Sequence, residues 1–574
     1  MKNKEIAKIF YAIAEYLEME GVAFKPYAYQ KAAITLENLK DDVEELYHQG
    51  GLKAIKKIPG VGESIALKIE EYLKTGKIQY YEEFKQRLPI ELDEIIAVEG
   101  LGPKKAKILY EQLGIRTLAD LEAAAQAHQI APLFGFGPKT EANILEAIEF
   151  VKRSKGRFLL GEILPVATAV RDRLASLPEV EKITTAGSVR RMKETIGDVD
   201  LLAISPDPEK VMDFFVSLPE VVRVWGKGYT KSSVRTTQGF DMDLRIIPAE
   251  SYGAALQYFT GSKEHNIALR KIAIDKGYKL SEYGLFKGPK AIAAISEEEV
   301  YRILGLQWIP PELREDRGEI EAAAAAKLPE LIDYTDIKGD LHVHSNWNGG
   351  ANPIAEIAQA ALSMGYEYIG IADHTKFLRI ERGLDEAALA ERNKEIDRLN
   401  HQLKDSGHHL TILKGCEANI MPDGSIDITD EALAQQDFVI AGVHHQFKMT
   451  REQMTDRIIK AMHNPHVDII AHPTGRILKK RTEFEIILDQ IIKVAQATGT
   501  ILEINAYPER LDLDDLNILK AKNAGVRLII NTDAHHIDQL RYMRYGIGQA
   551  RRGWAEKKDI VNAWPVAEML KMLK

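Results

Sequence analysis

A single cysteine, Cys416, occurs in the 574 residues. One thiol closes no intrachain disulfide and builds no multi-cysteine zinc site. Long apolar runs are also missing. No stretch approaches the roughly 20 apolar residues that a membrane span needs, and the opening MKNKEIAKIFYAIAEYLEMEG is amphipathic and acidic, unlike a secretory signal. A soluble, cytoplasmic, monomeric protein with no membrane partner is expected. An excess of positive charge is missing too: the net charge is -9, which over the whole chain disfavours nucleic acid. That average conceals a segment, because residues 151–290 hold 23 Lys and Arg against 17 Asp and Glu.

What is present indicates several folded domains. Hydrophobic residues make up 45% and charged residues 28%, a globular balance in a chain several times the usual domain length. Residues 1–150 read as short helices carrying an internal repeat: Ile58-Pro-Gly60-Val-Gly62, Val98-Glu-Gly100-Leu-Gly102 and Leu133-Phe-Gly135-Phe-Gly137. A Gly-x-Gly turn between helices bares backbone amides at a helix N-terminus, where a DNA phosphate can approach without meeting a side chain. The three copies resemble helix-hairpin-helix motifs, with a purely structural repeat as the bland alternative.

Between residues 158 and 248 short apolar strands alternate with helices. Gly187-Ser188-Val-Arg-Arg191 precedes Gly197-Asp198-Val-Asp200, and Asp241-Met-Asp243-Leu-Arg follows. Asp198 and Asp200, two apart on a strand, share one face. Carboxylates so close are stable only when cations neutralise them, and oxygen ligands suit Mg²⁺. Two such ions about 4 Å apart support in-line phosphoryl transfer, with the Gly-Ser loop and Arg191 offering donors to a triphosphate. Either Asp241 or Asp243 could be the third carboxylate.

Thirteen of the 16 histidines lie from His342 to His536. Seven apolar runs, around Leu341, Tyr368–Ala372, Leu410–Leu413, Phe438–Val443, Val467–Ala471, Ile501–Ile504 and Leu528–Ile530, alternate there with helical patterns, as in an α/β barrel. His342, His344, His374, Glu417, His444, His472, Asp533 and His535 stand at or just after these runs, where a barrel gathers its active site. Imidazoles with carboxylates suit Zn²⁺, Mn²⁺ or Fe²⁺.

The middle segment resembles family X DNA polymerases, the polymerase β-like nucleotidyltransferases, through the Gly-Ser and Asp-x-Asp motifs and through Tyr258-Phe259-Thr-Gly261-Ser262. The resemblance implies metal binding by Asp198, Asp200 and Asp243, the last chosen because Leu-Arg follows it. It implies triphosphate contacts from Ser188, Arg191 and Gly197, sugar discrimination by Tyr258 and Phe259 beside Gly261, and minor-groove or template contacts from Asn266 and Arg270. Lys25-Pro-Tyr-Ala-Tyr29-Gln-Lys31 with Lys68 is similar to that family's small domain, in which a lysine at this place can form a Schiff base with an abasic sugar; Ser64 replaces a second lysine of the pattern. The histidine motifs resemble the polymerase and histidinol phosphatase (PHP) domain, a distorted seven-stranded barrel that holds up to three metals. In His344-Ser-Asn-Trp-Asn348-Gly349-Gly350 a glycine stands where that family places an acidic ligand, so the site sharing His374 and His535 lacks its carboxylate.

These readings predict a multidomain α/β and α+β chain. A small lyase-like helical domain (1–80) and a helix-hairpin-helix DNA-binding domain (81–153) come first, then a nucleotidyltransferase palm (154–248) and a nucleotide-selection domain (249–314). A helical linker (315–335) and a PHP phosphoesterase domain (336–574) follow. The implied function is gap-filling synthesis on primed or gapped DNA from deoxynucleoside triphosphates, with Mg²⁺ or Mn²⁺ in the palm. The barrel would add a metal-dependent 3′-5′ exonuclease, with abasic-site incision or 3′-phosphate removal as further outlets. Two alternatives remain open: a small-molecule phosphatase of the PHP type, and a DNA-binding protein with an inactive polymerase.

Overall fold

The computed structural model describes the whole chain except residues 1, 38, 40, 41, 59, 97, 99, 155, 379, 380, 480 and 482. Three helical hairpins follow the opening helix pair Lys2–Met19 and Lys25–Glu37: Val43–Ile55 with Glu63–Thr75, Leu92–Ile96 with Pro103–Leu113, and Leu118–Gln126 with Pro138–Ser154. Their apolar faces meet in one core that includes Phe10, Ile55, Ile69, Leu109 and Ala147. Gly60, Gly100 and Gly135 take φ of 80°, 83° and 82°, a left-handed turn that side chains disfavour.

The palm is a five-stranded sheet in the order Lys182–Thr185, Asp198–Ile204, Asp241–Ile246, Lys231–Thr236, Val221–Lys227. The hairpin of the last two strands has no clear signature in the sequence. Val222 and Val224 point outward and are exposed, so apolar alternation does not mark its buried face. Helices Leu160–Ala175 and Pro208–Val216 cover one side of this sheet, sharing its core through Ile163, Val170, Val211 and Phe215. Helices Tyr252–Thr260 and Lys263–Asp275 and a three-stranded sheet follow.

All seven apolar runs of the C-terminal region are strands. Gly339–Val343, Tyr368–Ile371, Thr411–Asn419, Phe438–Gly442, Ile469–Ile470, Ile501–Asn505 and Leu528–Asn531 pair in sequence order, all in parallel. A bridge between Val343 and Ala534 brings the first strand to the end of the last, so the barrel is nearly closed. Strands buried on both faces read as continuous apolar runs, which is why the sequence reveals them. No helix among the described residues is long and apolar enough to cross a membrane.

Residues 315–335 differ from the free helical spacer expected. Only Glu319–Ala324 is helical, and the segment is wedged between palm and barrel. Glu315, fully enclosed, receives Arg191 Nε at 3.0 Å and Arg552 Nη1 at 2.9 Å, with Lys193 Nζ at 3.5 Å. Arg552 also reaches Asp515 at 2.5 Å and donates to the Arg191 carbonyl at 2.9 Å. Burial alone would raise the Glu315 carboxyl, but Arg552, Lys193 and Arg191 outweigh it and hold it well below the carboxylate range. Glu319 likewise meets the buried His265 at 2.6 Å. Linker composition is misleading here because Glu315 neutralises the buried Arg191 and Arg552 while Glu319 hydrogen-bonds the buried His265.

Removing one member of such a knot strands the others. Glu315→Ala is expected to cost about 3–5 kcal/mol, read as a lowered midpoint in thermal unfolding of the full chain. A midpoint equal to that of the parent would show that Arg191 and Arg552 find other partners.

Candidate functional site

Two constellations lie at strand ends. In the palm, strands Asp198–Ile204 and Asp241–Ile246 run parallel, with Asp198 opposite Asp241 and Asp200 opposite Asp243. Period-two geometry therefore puts four carboxylates on one face at the same end. Asp241 is taken up: Arg235 grips both its oxygens at 2.7 and 2.8 Å, and Trp225 Nε1 donates to it at 2.9 Å. Asp243 faces Lys231 Nζ at 2.7 Å and Arg245 at 3.4 Å. Desolvation, then repulsion from Asp198 and Asp243, pushes the Asp200 carboxyl up to about 7. Asp198 shifts upward for the same reasons, with Asp243 and Asp241 as its neighbours. Such a group is short of positive charge, and its oxygens fit a hard divalent cation.

The Gly-Ser turn abuts this face. Gly187 has φ of 63°, and a Cβ there would lie 3.1 Å from Asp200 Oδ2, so glycine lets the turn sit against the carboxylate. Ser188 belongs to the same single helical turn, Gly187–Arg190, while Gly197 directly precedes Asp198 and adjoins Arg157 Nη1.

Arg191 is engaged inside the fold. Its guanidinium binds Glu315 and the Thr260 carbonyl, because the knot between palm and barrel needs a cation there. Arg190 pairs doubly with Glu297 at 2.8 Å. Tyr258 and Phe259 meet edge to face at 5.2 Å, and Arg245 lies over the Phe259 ring at 4.5 Å. Asn266 is buried and spends its amide internally, donating to the Tyr258 carbonyl at 2.7 Å and accepting from Gln257 at 2.6 Å. It shapes the Tyr258–Gly261 segment from beneath. Arg270 is exposed at the next turn of the same helix.

In the hairpins, Gly62 and Gly102 are the N-cap residues of their helices without any side-chain cap, and Gly137 stands just before the helix that starts at Pro138. A Cβ at Gly62, Gly100, Gly102, Gly135 or Gly137 would meet nothing within 4 Å, so the space before these amides is open. Gly60 is overhung by the Lys31 side chain. Lys68 Nζ sits 4.8 Å from the Tyr80 ring centroid and 3.2 Å from Ser64 Oγ, and partial burial lowers its proton affinity.

In the barrel, Glu417 is central. Its Oε1 lies 2.9 Å from His444 Nε2 and 3.2 Å from His472 Nε2. Its Oε2 lies 2.9, 3.2 and 3.5 Å from His374, His342 and His344. Asp533 Oδ1 adds contacts to His344 at 3.3 Å and His342 at 3.6 Å. Burial alone would raise the Glu417 carboxyl; His374, His342 and His444 overcome it and hold it well below its ordinary range. His344 goes the other way: burial, then His535 and His374, keep it well below the imidazole range, so it stays neutral with a lone pair to give.

These residues fit metal ions. Ligand atoms of His342, His344, Glu417 and Asp533 lie within 4.8 Å of one another, as do those of His374, Glu417 and His444, and those of His344, His374 and His535. Among the described residues, His342 Nε2, both nitrogens of His344, His374 Nδ1 and Glu417 Oε2 are buried without a hydrogen-bond partner. Donor atoms that approach within 3.5 Å yet form no hydrogen bonds are arranged for a cation between them.

The sequence reading omits the layer behind. Glu503, fully buried, accepts from His342 Nδ1 at 2.7 Å and from the His472 backbone N–H at 2.8 Å, turning His342 Nε2 toward Glu417. Asn419 does the same for His444 Nδ1 at 2.8 Å. The available signal for Glu503 was a charged residue inside the otherwise apolar run Ile501–Ile504. His445 lies against the Phe377 ring, centroids 4.2 Å apart and tilted by 35°, and His536 is exposed; neither enters the cluster.

Comparison with known proteins follows the same division. Residues 1–78 match the helix-hairpin-helix domain, 92–149 the SAM-like helix-hairpin-helix tandem, 255–315 the DNA polymerase beta thumb and 340–507 the PHP domain. Along its whole length the chain is similar to the DNA polymerase/3′-5′ exonuclease PolX of Bacillus subtilis (strain 168), at 38% identity over 579 residues covering 100% of both chains. It is also similar to DNA polymerase lambda of Arabidopsis thaliana, 25% identical over 54% of this chain and 62% of that one. DNA polymerase lambda of Rattus norvegicus is 26% identical over 54% of this chain and 56% of its own. With both carboxylate-lined sites in place and a relative matched from end to end, the chain belongs to the family X DNA polymerases that carry a PHP domain.

Proposed function

We propose that the palm extends a DNA primer across short gaps and that the barrel removes nucleotides from the 3′ end. The observation that carries the first half is the register pairing of Asp200 with Asp243, beside a glycine turn that sits directly against the Asp200 carboxylate. Asp198, Asp200 and Asp243 would hold two Mg²⁺ or Mn²⁺ ions. In the barrel, Glu417, His342, His344, Asp533, His374, His444 and His472 would hold divalent ions. Bound divalent cations supply charge neutralisation and nucleophile activation in both sites.

The remaining roles belong to the chain's own groups. Amides of the Gly187–Ser188 turn and Gly197 bind the triphosphate, while Tyr258 and Phe259 press on the sugar, held by Asn266 from below. Arg191 positions the Thr260–Gly261 turn and leaves the triphosphate to these groups and to incoming counterions. The hairpin glycines offer backbone amides to phosphates on either side of a gap, a contact blind to sequence. Glu503 and Asn419 fix the ligand tautomers. A small-molecule phosphatase would leave the palm carboxylates and hairpins without a task, and an inactive polymerase would not need Asp198, Asp200 and Asp243 together.

Asp200→Ala is expected to lower primer extension on gapped, end-labelled DNA by about 10²–10³-fold or more while degradation from the 3′ end persists; His344→Ala should do the reverse. Loss of both activities in either variant would contradict two independent sites. Because the Asp200 carboxyl titrates near 7, a cation must displace its proton at lower pH. The Mg²⁺ concentration for half-maximal extension should therefore rise by up to about tenfold per pH unit below about 7. A requirement that stays flat between about pH 6 and 8 would refute that linkage.

A further inference from the structure

The three groups of metal-ligating atoms in the barrel are not alike. Two contain Glu417, one of them with Asp533 as well, whereas His344, His374 and His535 come together with no carboxylate. Three imidazoles alone give a divalent ion no anionic ligand; Zn²⁺ accepts such a set, whereas Mn²⁺ favours a carboxylate oxygen beside the nitrogens. Yet this corner holds buried atoms that lack partners among the described residues: His344 Nδ1 and Nε2, His374 Nδ1 and Asn348 Oδ1.

Gly349 forms the wall of the same corner. A Cβ built on it would lie 3.5 Å from His535 Cδ2, the ring carbon next to Nε2, and only 2.8 Å from Glu381 Oε2. The space that a side chain at 349 would occupy is thus already used by the Glu381 carboxylate. His535 Nδ1 is committed to the Asp533 carbonyl at 3.0 Å, which leaves Nε2, on the Glu381 side, to bind an ion. The approach is anchored through the backbone: Gly349 N–H donates to the Glu381 carbonyl at 3.2 Å, and Glu381 N–H donates to the Leu378 carbonyl at 3.1 Å. Among the described residues the Glu381 carboxylate has no hydrogen bond or ion pair of its own.

We propose that Glu381 is the carboxylate of a third metal site made with His344, His374 and His535, reaching it from a loop outside the strand ends across the gap left by Gly349. Glycine at 349 and glutamate at 381 are two halves of one arrangement: the first vacates the volume and the second brings the charge. Binding is direct after a side-chain rotation or runs through one water, since the carboxylate lies just outside the tight cluster of ring nitrogens. The assignment rests on the metal-dependent reading of the barrel given above.

Its test is metal content. The full chain is stripped with chelator, titrated with Mn²⁺, and followed by the electron paramagnetic resonance signal of free Mn²⁺, with elemental analysis of the desalted protein. Glu381→Ala is expected to lose one Mn²⁺ per chain, or to weaken that ion by about 10- to 100-fold, while the other ions stay bound. The double variant Glu381→Ala with Gly349→Asp, which returns a carboxylate from the other side of the same space, should regain the ion. Equal stoichiometry and affinity in the parent and Glu381→Ala would overturn the role of Glu381. If the parent itself retained no Mn²⁺ that His344→Ala and Glu417→Gln remove, the metal-dependent reading of the barrel would fall, and this inference with it.

Discussion

Glu417 is enclosed by imidazoles from four other barrel strands, and the packing around it answers to that one carboxylate. In a fully buried setting a charge persists only if opposing charge and directed donors surround it. His342 and His344 arrive from the first strand, His374 from the end of the second, His444 and His472 from the ends of the fourth and fifth. Parallel pairing in sequence order is what lets five separate chain segments end at one point. Residues further out then serve orientation: Glu503 and Asn419 fix which ring nitrogen faces inward, and Asn505 and Asn531 satisfy Glu503 in turn. The palm solves a related problem with fewer groups. There like charges are brought together by the register of two strands, and burial together with that repulsion pushes Asp198 and Asp200 upward.

The two sites are mechanically joined as well as chemically similar. Arg191, from the palm turn next to the carboxylates, and Arg552, from the helix Met543–Arg552 on the outside of the barrel, share Glu315 between them. Arg476 of the barrel reaches Glu194 of the palm at 2.7 Å, and Leu511 and Tyr545 of the barrel complete the palm's apolar core. The polymerising and phosphoesterase halves therefore meet as one packed body, in which residues 315–335 act as a staple. A net charge of -9 is compatible with DNA as substrate, because the hairpins present amides whose attraction formal charge does not count.

Much of this was legible in the sequence, for identifiable reasons. Barrel strands buried on both faces read as apolar runs, and the histidines and carboxylates at their ends, residue types able to bind metal, stand out by type. Asp198 and Asp200 were legible through strand periodicity, and the hairpins through repeated glycines. What escaped depends on contacts between distant segments: Arg552 with Glu315, Glu503 with His342, and Glu381 with the space at Gly349. Local pattern also cannot show which side chains packing engages: Arg191 and Asn266 have the right types for substrate contacts and are held within the fold by Glu315 and Gln257. The Val221–Thr236 hairpin was missed because Val222 and Val224 face outward and break the apolar alternation.

If Glu417 and the histidines around it hold divalent cations, those cations stabilise the barrel. Thermal unfolding of the full chain with and without Mn²⁺ tests it most directly. A ligand at a hundred times its dissociation constant stabilises the native state by about 2.7 kcal/mol, so Mn²⁺ should raise the midpoint of the parent clearly. Glu417→Gln should abolish most of that rise while primer extension continues. A Mn²⁺-dependent rise of the same size in Glu417→Gln, or none in the parent, would contradict the account.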